Sequence, residues 1–406
     1  MPRYSTENVN KILLAVSFLI PGTVTAADTL DCPRTKAKEI ATVETGSESI
    51  VERQVAMRIR ADGRPLIAYT GGLTNQQTLW LVDCLDKKCN SSRSAQIDSS
   101  SNYNFGLGFA LSQDGRPLIL TQYYGKLTYY ECSDVLCAEK RKVEVETSNP
   151  GNIRSLEVMP DGKPMLIYSH GGTAPSDAYD VFAFVCSDTR CQSGVKTKLV
   201  DIDPDGDWFS SEASTELDAQ GRLALLYLNN NGGMLSGKMK LTRCAGADCT
   251  QTSTETVSQA RAQTWSQRTS MFLLPDSRPL ILDGQAGFFG ASWGSLIECD
   301  SSDCKNTVSN TLFSSPSRHF AGVTVPQGGS PVLGVFDDAT AGFYLCSDDD
   351  CTAGQSVVEA ATTPAYRTST LRANASGVPY LAYFSDGGRQ LQLATCSLDI
   401  WANSFE

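Results

Sequence analysis

Histidine is almost missing from this chain: of 406 residues only two, His170 and His319, are histidine. A His-rich metal cage and repeated histidine catalysis are excluded. Basic charge is also in deficit, with 34 Lys+Arg against 45 Asp+Glu and a net charge of −11. A nucleic-acid backbone is bound by neutralising many phosphates, so nucleic acid is not an expected partner. Long apolar runs are lacking too. The run Ile12 to Ile20 is about half of the ~20 residues that a spanning helix requires, and no membrane span is expected. Helical periodicity is absent throughout. So are G-x-S-x-G, H-E-x-x-H, G-x-x-x-x-G-K-[ST], a G-x-G-x-x-G opening a helix, and the S-x-D-x-G-x-x-W turn of sialidase-type propellers.

What is present begins with a leader. Arg3 and Lys11 precede the apolar run, and Val24-Thr25-Ala26 comes after it. This pattern predicts a secretory signal peptide over residues 1–26 and a secreted or periplasmic mature chain, 27–406, forming one domain. A 41% hydrophobic composition is enough to bury a core.

Twelve of the 14 cysteines form six C-x4-C pairs: Cys84/Cys89, Cys132/Cys137, Cys186/Cys191, Cys244/Cys249, Cys299/Cys304 and Cys346/Cys351. Ahead of each pair lies a turn and an apolar run, as in Asp62-Gly63-Arg64-Pro65, Asp161-Gly162-Lys163-Pro164 and Asp276-Ser277-Arg278-Pro279, and a seventh turn occurs at Ser376-Gly377-Val378-Pro379. A spacing of about 50 residues between turns signals an array of supersecondary units. Each unit reads as four strands, A to D. In the third these are Ile153–Met159, Met165–Tyr168, Tyr179–Val185 and Val195–Val200, with Asp161-Gly162 as the A–B hairpin turn. The expected fold is all-β, a seven-bladed β-propeller of four-stranded antiparallel blades.

The last unit supplies strands A to C and Cys396, then the chain ends. The segment after Cys32 matches the stretch after the second cysteine of the other pairs. An N-terminal strand and a Cys32–Cys396 disulfide should therefore close the ring. Disulfides are favoured over zinc because the chain is exported. Each C-x4-C pair is expected to clasp a C–D hairpin, its two cysteines facing one another across the ladder.

Between the third and fourth units, Asp201 to Glu212 fits D-x-[DN]-x-[DN]-G-x5-E. Carboxylates at alternate positions around a turn glycine suit a hard cation. Asp201, Asp203 and Asp205 are candidate side-chain ligands for a structural Ca²⁺, Asp207 a carbonyl ligand and Glu212 the distal bidentate ligand. These twelve residues resemble the calcium loops of EF-hands and of some propellers, although the flanks read as strands.

The mouth of such a ring is lined by starts of strand A and ends of strand B. The first offer Arg53, Arg154, Arg268, Arg318 and Arg367; the second offer Tyr123, Tyr124, His170, Asn229, Asn230, Asp283, Asp337 and Asp386. Guanidinium groups present a planar fork to carboxylate or sulfate, so these arginines are candidate ligand-binding residues for an acidic glycan or another anion. The competing reading pairs them with the nearby carboxylates as a structural network. His170 or Tyr123 would be the candidate general base if the protein is an enzyme. Asn90-Ser91-Ser92 and Asn374-Ala375-Ser376 match the glycosylation sequon.

The repeat D-G-x-P-x-[IL]-x-[YL] followed by C-x4-C resembles the cysteine-clasped propeller repeats of exported bacterial proteins of undetermined role. That resemblance implies fold rather than activity. Seven-bladed propellers include lectins and uronate polysaccharide lyases. The expected function is a calcium-stabilised, lectin-like carbohydrate-binding module; the alternatives are a polysaccharide lyase and a protein-interaction scaffold using the face that carries Asp348-Asp349-Asp350.

Overall fold

The computed structural model describes residues 34–43, 54–73, 76–100, 106–123, 126–146, 150–170, 180–201, 207–231, 237–259, 264–287, 292–315, 319–326, 329–337, 340–360 and 364–397. The leader, with Cys32, lies outside them. Seven four-stranded antiparallel sheets follow one another along the chain. In the third, Pro150–Val158, Pro164–His170, Val181–Cys186 and Gly194–Val200 lie within a few residues of the expected strands. The innermost strands of the seven blades are Val55–Ile59, Leu107–Leu111, Pro150–Val158, Asp207–Leu217, Thr264–Leu273, His319–Thr324 and Pro364–Ala373. Each packs against the inner strand of the next blade, and the seventh packs against the first, so the ring is closed.

Closure uses the N-terminal strand. Arg34–Thr42 pairs antiparallel with Gln390–Ser397 and forms the outer strand of the seventh blade, with Thr35 opposite Cys396. Cys396 is disulfide-bonded; its expected partner, Cys32, lies outside the described residues.

The D-G-x-P turn explains itself chemically. Gly162 donates its N–H to the Met159 carbonyl at 2.8 Å, and Met159 donates to the Lys163 carbonyl at 2.9 Å. This encloses a three-residue loop whose last member must be left-handed, and Gly162 has φ +86°. Asp161 accepts the Lys163 N–H at 3.1 Å and pairs with its ammonium at 2.6 Å, while Pro164 opens strand B. In the fifth turn Ser277 takes the left-handed position, φ +67°. In the seventh, Asn374 replaces the carboxylate acceptor, taking N–H groups from Ser376 at 3.0 Å and Val378 at 2.9 Å and donating to the Tyr380 hydroxyl. That sequon asparagine is buried, whereas Asn90 is exposed.

All six C-x4-C disulfides form as expected, but their geometry corrects the expectation of facing residues. Cys84, Cys132, Cys186, Cys244, Cys299 and Cys346 each end a strand C. Their partners Cys89, Cys137, Cys191, Cys249, Cys304 and Cys351 precede strand D and lie inside the turn, with a left-handed backbone of φ 53–57°. Across the ladder Cys84 faces Ser92, Cys186 faces Gly194, Cys244 faces Thr252, Cys299 faces Thr307 and Cys346 faces Gly354. The physical reason is the short loop: five positions of sequence cannot reach the facing residue, and a left-handed residue folds the second cysteine back over the first, leaving Cα atoms 4.7 Å apart in the Cys84–Cys89 pair. The turn is held by Asp86, which accepts N–H groups from Lys88, Asn90 and Ser91.

Strand B residues alternate between two cores. In the first blade Leu66 and Ala68 enter the core shared with blade 2, while Ile67 and Tyr69 enter that shared with blade 7. With neighbours on both faces, an unbroken apolar run replaces the polar–apolar alternation of a half-solvated strand. Each of the six disulfides is buried against the preceding blade; Cys132 and Cys137, for example, pack with Leu66 and Leu81 of blade 1.

Candidate functional site

Three of the five candidate arginines lie in inner strands: Arg154 at the midpoint of Pro150–Val158, and Arg268 and Arg367 in the half of their strands remote from the A–B turns. Arg268 faces Gly284. Arg154 falls in a register irregularity between Ile153 and Ser155, and Arg367 in one between Ala365 and Ser369. His170 and Tyr123 are the last residues of their B strands and reach the same end, opposite Pro150 and Lys126. The side chains of these five, and the whole of Arg53, Arg318 and Tyr124, lie outside the described residues. Of the candidate carboxylates, Asp283 is buried opposite Thr269, Asp337 faces Thr340, and Asp386 begins a single 3-10 turn.

The calcium motif is divided by a strand. Asp201 is exposed and hydrogen-bonded to the Lys198 ammonium at 3.0 Å, which holds its carboxyl below the usual range; Lys198 also pairs with Asp180 at 2.9 Å. Asp203 and Asp205 lie outside the described residues. Asp207 opens the inner strand of blade 4 opposite Asn231, and Glu212 lies in that same strand just before Ala213, which faces Tyr227. Four residues of partner strand separate those two positions, about 13 Å at the usual rise. A twelve-residue ligand loop folds its last position back over its first, whereas this strand carries Glu212 away from Asp207. Among the described residues no group of three or more His, Cys, Asp or Glu is arranged to hold a metal.

Four charged residues at the A–B end of the inner strands are a feature that the motifs did not single out. Five residues ahead of the third loop residue of the A–B turn, successive blades carry Arg58, Ala110, Glu157, Glu216, Phe272, Thr324 and Arg372. Two guanidiniums therefore come from neighbouring blades 7 and 1, and two carboxylates from neighbouring blades 3 and 4. Arg58 reaches past blade 2, whose residue at this level is the small Ala110, and donates to Glu157 at 3.4 Å. Their side chains retain only 21% and 15% of their exposure. Glu157 also accepts from Thr215 at 3.2 Å and from Ser155. Burial, together with the Glu157 carboxylate, pushes Glu216 above the usual carboxylate range against the pull of Arg372 and Arg58. Burial lowers Arg372, with Arg58 adding like-charge repulsion. The available sequence signal is a charged residue five positions ahead of the third residue of the turn loop, where other repeats carry Ala, Phe or Thr.

Other buried charges are structural. Asp83, fully buried, accepts from Arg60 at 2.6 Å and Arg93 at 2.9 Å within blade 1, and Asp218 accepts from Arg222 at 2.7 Å. Asp98 joins blades 1 and 2 by accepting from Tyr130 and, at 2.9 Å, from Lys142.

No protein-family model and no curated protein matches the chain. Solved structures share its fold. An ulvan lyase, a polysaccharide lyase bound to -[GlcA(1-4)Rha3S]-, aligns with a TM-score of 0.62 and 10% identity over 87% of this chain and 94% of its own. The polysaccharide lyase Uly1 aligns with a TM-score of 0.57 and 8% identity over 85% and 90%. A puromycin-hydrolyzing peptidase of Mycobacterium tuberculosis aligns with a TM-score of 0.53 and 9% identity over 82% of this chain and 49% of its own. At these identities the likeness is one of fold: this chain is a seven-bladed β-propeller of four-stranded blades.

Proposed function

We propose that the protein is an exported propeller that binds acidic glycan through arginines at the end of the ring remote from the A–B turns. What supports this reading is that Arg154, Arg268 and Arg367 lie in the inner strands of three separate blades. Convergent guanidinium groups suit uronate carboxylates and sulfate esters. Six buried disulfides support an oxidising compartment. The test is binding of the mature protein to a panel of acidic polysaccharides. Arg154→Ala/Arg367→Ala should abolish binding with little change in melting temperature; unchanged affinity refutes the site.

A lyase reading is favoured by one finding, the fold shared with a lyase bound to a glucuronate-containing ligand. In that reading His170 or Tyr123 removes a proton from the uronate while the arginines neutralise its carboxylate. Absorbance of the unsaturated uronate should then rise during incubation and disappear in His170→Ala or Tyr123→Phe; a flat trace across the panel rejects it. Calcium held by Asp201, Asp203, Asp205, the Asp207 carbonyl and Glu212, the last set apart along the strand, is part of the proposal. Chelation should lower the melting temperature of the wild type and not of Asp203→Asn/Asp205→Asn.

A further inference from the structure

The four inner-strand charges are unlike the other buried ion pairs, which join residues of one blade or of adjacent blades. Here two arginines and two glutamates from four blades meet at one level of the ring, and at neutral pH two positive charges offset two negative ones. Glu157 and Glu216 stand on adjacent inner strands, and two carboxylates held close in a poorly solvated space do not both ionise freely. The charged groups acting on Glu216 are Arg372, Glu157 and Arg58. Of the strands packed against its own, the inner strand of blade 3 contributes Glu157. Its ladder partner in blade 4 presents Ala224, and the inner strand of blade 5 carries Phe272 at this level.

We propose that this cluster is a proton-operated switch: protonation of Glu216 leaves Arg58 and Arg372 in excess over the remaining carboxylate, turns the ring's interior positive, and tightens the hold on an anionic ligand as the medium acidifies. The ligand half of this proposal rests on the acidic-glycan reading above. Glu157 stands three residues along the strand from Arg154, about 10 Å at the usual rise. One unit of charge over that distance changes affinity about threefold at low salt.

The sign for folding is fixed independently of any ligand. A carboxyl raised in the folded state contributes stability that is complete below its unfolded value and is lost as pH rises through its folded value. Glutamine does not titrate, so the stability of wild type relative to Glu216→Gln should increase as pH falls toward about 4.5. The experiment measures, on the mature protein, denaturant stability of both proteins from about pH 8 to about pH 4.5. It also measures affinity for polygalacturonate at about pH 8 and about pH 5 in wild type and in Glu157→Gln/Glu216→Gln. The expected results are a stability difference that tilts toward wild type on acidification, an approximately threefold tightening in wild type, and tight, pH-independent binding in the double variant. A flat stability difference with binding intact overturns the switch alone. A tilt with no binding at any pH overturns the acidic-glycan reading and with it the switch's output. A pH dependence of binding that survives in the double variant belongs to His170 or His319 and overturns the assignment.

Discussion

Among the described glycines, Gly294 is where an added Cβ would approach a neighbouring blade most closely, and adding one methyl group there is a direct test of how the ring is held. Gly294 lies in strand C of blade 5, and a Cβ built on it would sit 1.9 Å from Cε2 and 2.1 Å from Cζ of Phe320 in blade 6. Phe320 is 2% exposed, enclosed by Leu280, Leu282, Leu296, Val323, Leu333 and Val335. Carbon atoms pack at about 3.5–4.0 Å, so the ring must retreat by roughly 2 Å into a filled core. Overpacking of this kind costs about 1–3 kcal/mol, and replacing a strand glycine returns about 0.5–1 kcal/mol. We expect Gly294→Ala to lose about 2 kcal/mol, seen as a fall of roughly 2–3 °C in melting temperature for a chain of this size. Phe320→Leu alone should lose about 1–2 kcal/mol through a cavity, and the double variant should recover at least about 1 kcal/mol relative to the sum, because the methyl group fills the vacated space. Calorimetry or denaturant unfolding of all four proteins completes the cycle. A Gly294→Ala protein within about 0.5 kcal/mol of wild type, or strictly additive losses, would refute the packing argument.

Removing a cysteine clasp should expose the strain of its left-handed residue: Cys84→Ala/Cys89→Gly is expected to retain about 1 kcal/mol more stability than Cys84→Ala/Cys89→Ala, measured by denaturant midpoint, since alanine is disfavoured at φ 53°. Acid should weaken the junction of blades 1 and 2. Although burial pushes Asp98 upward, hydrogen bonds from Tyr130 and Lys142 hold it below the usual range, so its contribution is present above about pH 4 and is lost as pH falls further; Asp98→Asn should show a shallower loss of stability between about pH 4 and pH 2.

The parts of the fold that were legible in the sequence are those fixed by local chemistry. An Asp acceptor, a left-handed Gly and a following Pro specify the A–B turn within four residues in blades 1 to 3, and partial forms of the same pattern let the other four be counted. Cys32 and Cys396, which fall outside the C-x4-C pairs, pointed to the N-terminal strand, and Arg34–Thr42 does complete the last blade. The position of the second cysteine was less accessible, because C-x4-C spacing alone does not say whether Cys191, Cys249, Cys304 or Cys351 faces its partner across the ladder or sits in the turn; a left-handed backbone at each decides for the turn. Asn374 shows the same limit from another side: a sequon by pattern, it is a buried turn acceptor by structure. The Arg58–Glu157 contact spans 99 positions of sequence. It depends on ring closure and on the small Ala110 between them, neither of which a motif encodes. For the candidate arginines, register irregularities at Ile153/Ser155 and Ala365/Ser369 break the strand period that would otherwise assign a side chain to one face.

These differences share a physical origin in how the repeat divides its tasks. Turns, strand B residues and the six clasps serve the interfaces between blades, where successive strand B side chains pack on alternate neighbours and a change is costly. The inner strands contact neighbours on two sides but leave their third side to the ring's interior, and polar backbone there is satisfied across blades, as when Leu107 donates to Gln54 and Met271 to Ser214. Substitutions at that edge alter charge without opening an apolar core. At a single level there, two blades carry arginine, two carry glutamate, and the other three carry Ala110, Phe272 and Thr324. The symmetry that makes the architecture readable is therefore broken at the inner edge, and the chemistry that distinguishes this propeller has to be read around the ring, one residue per blade.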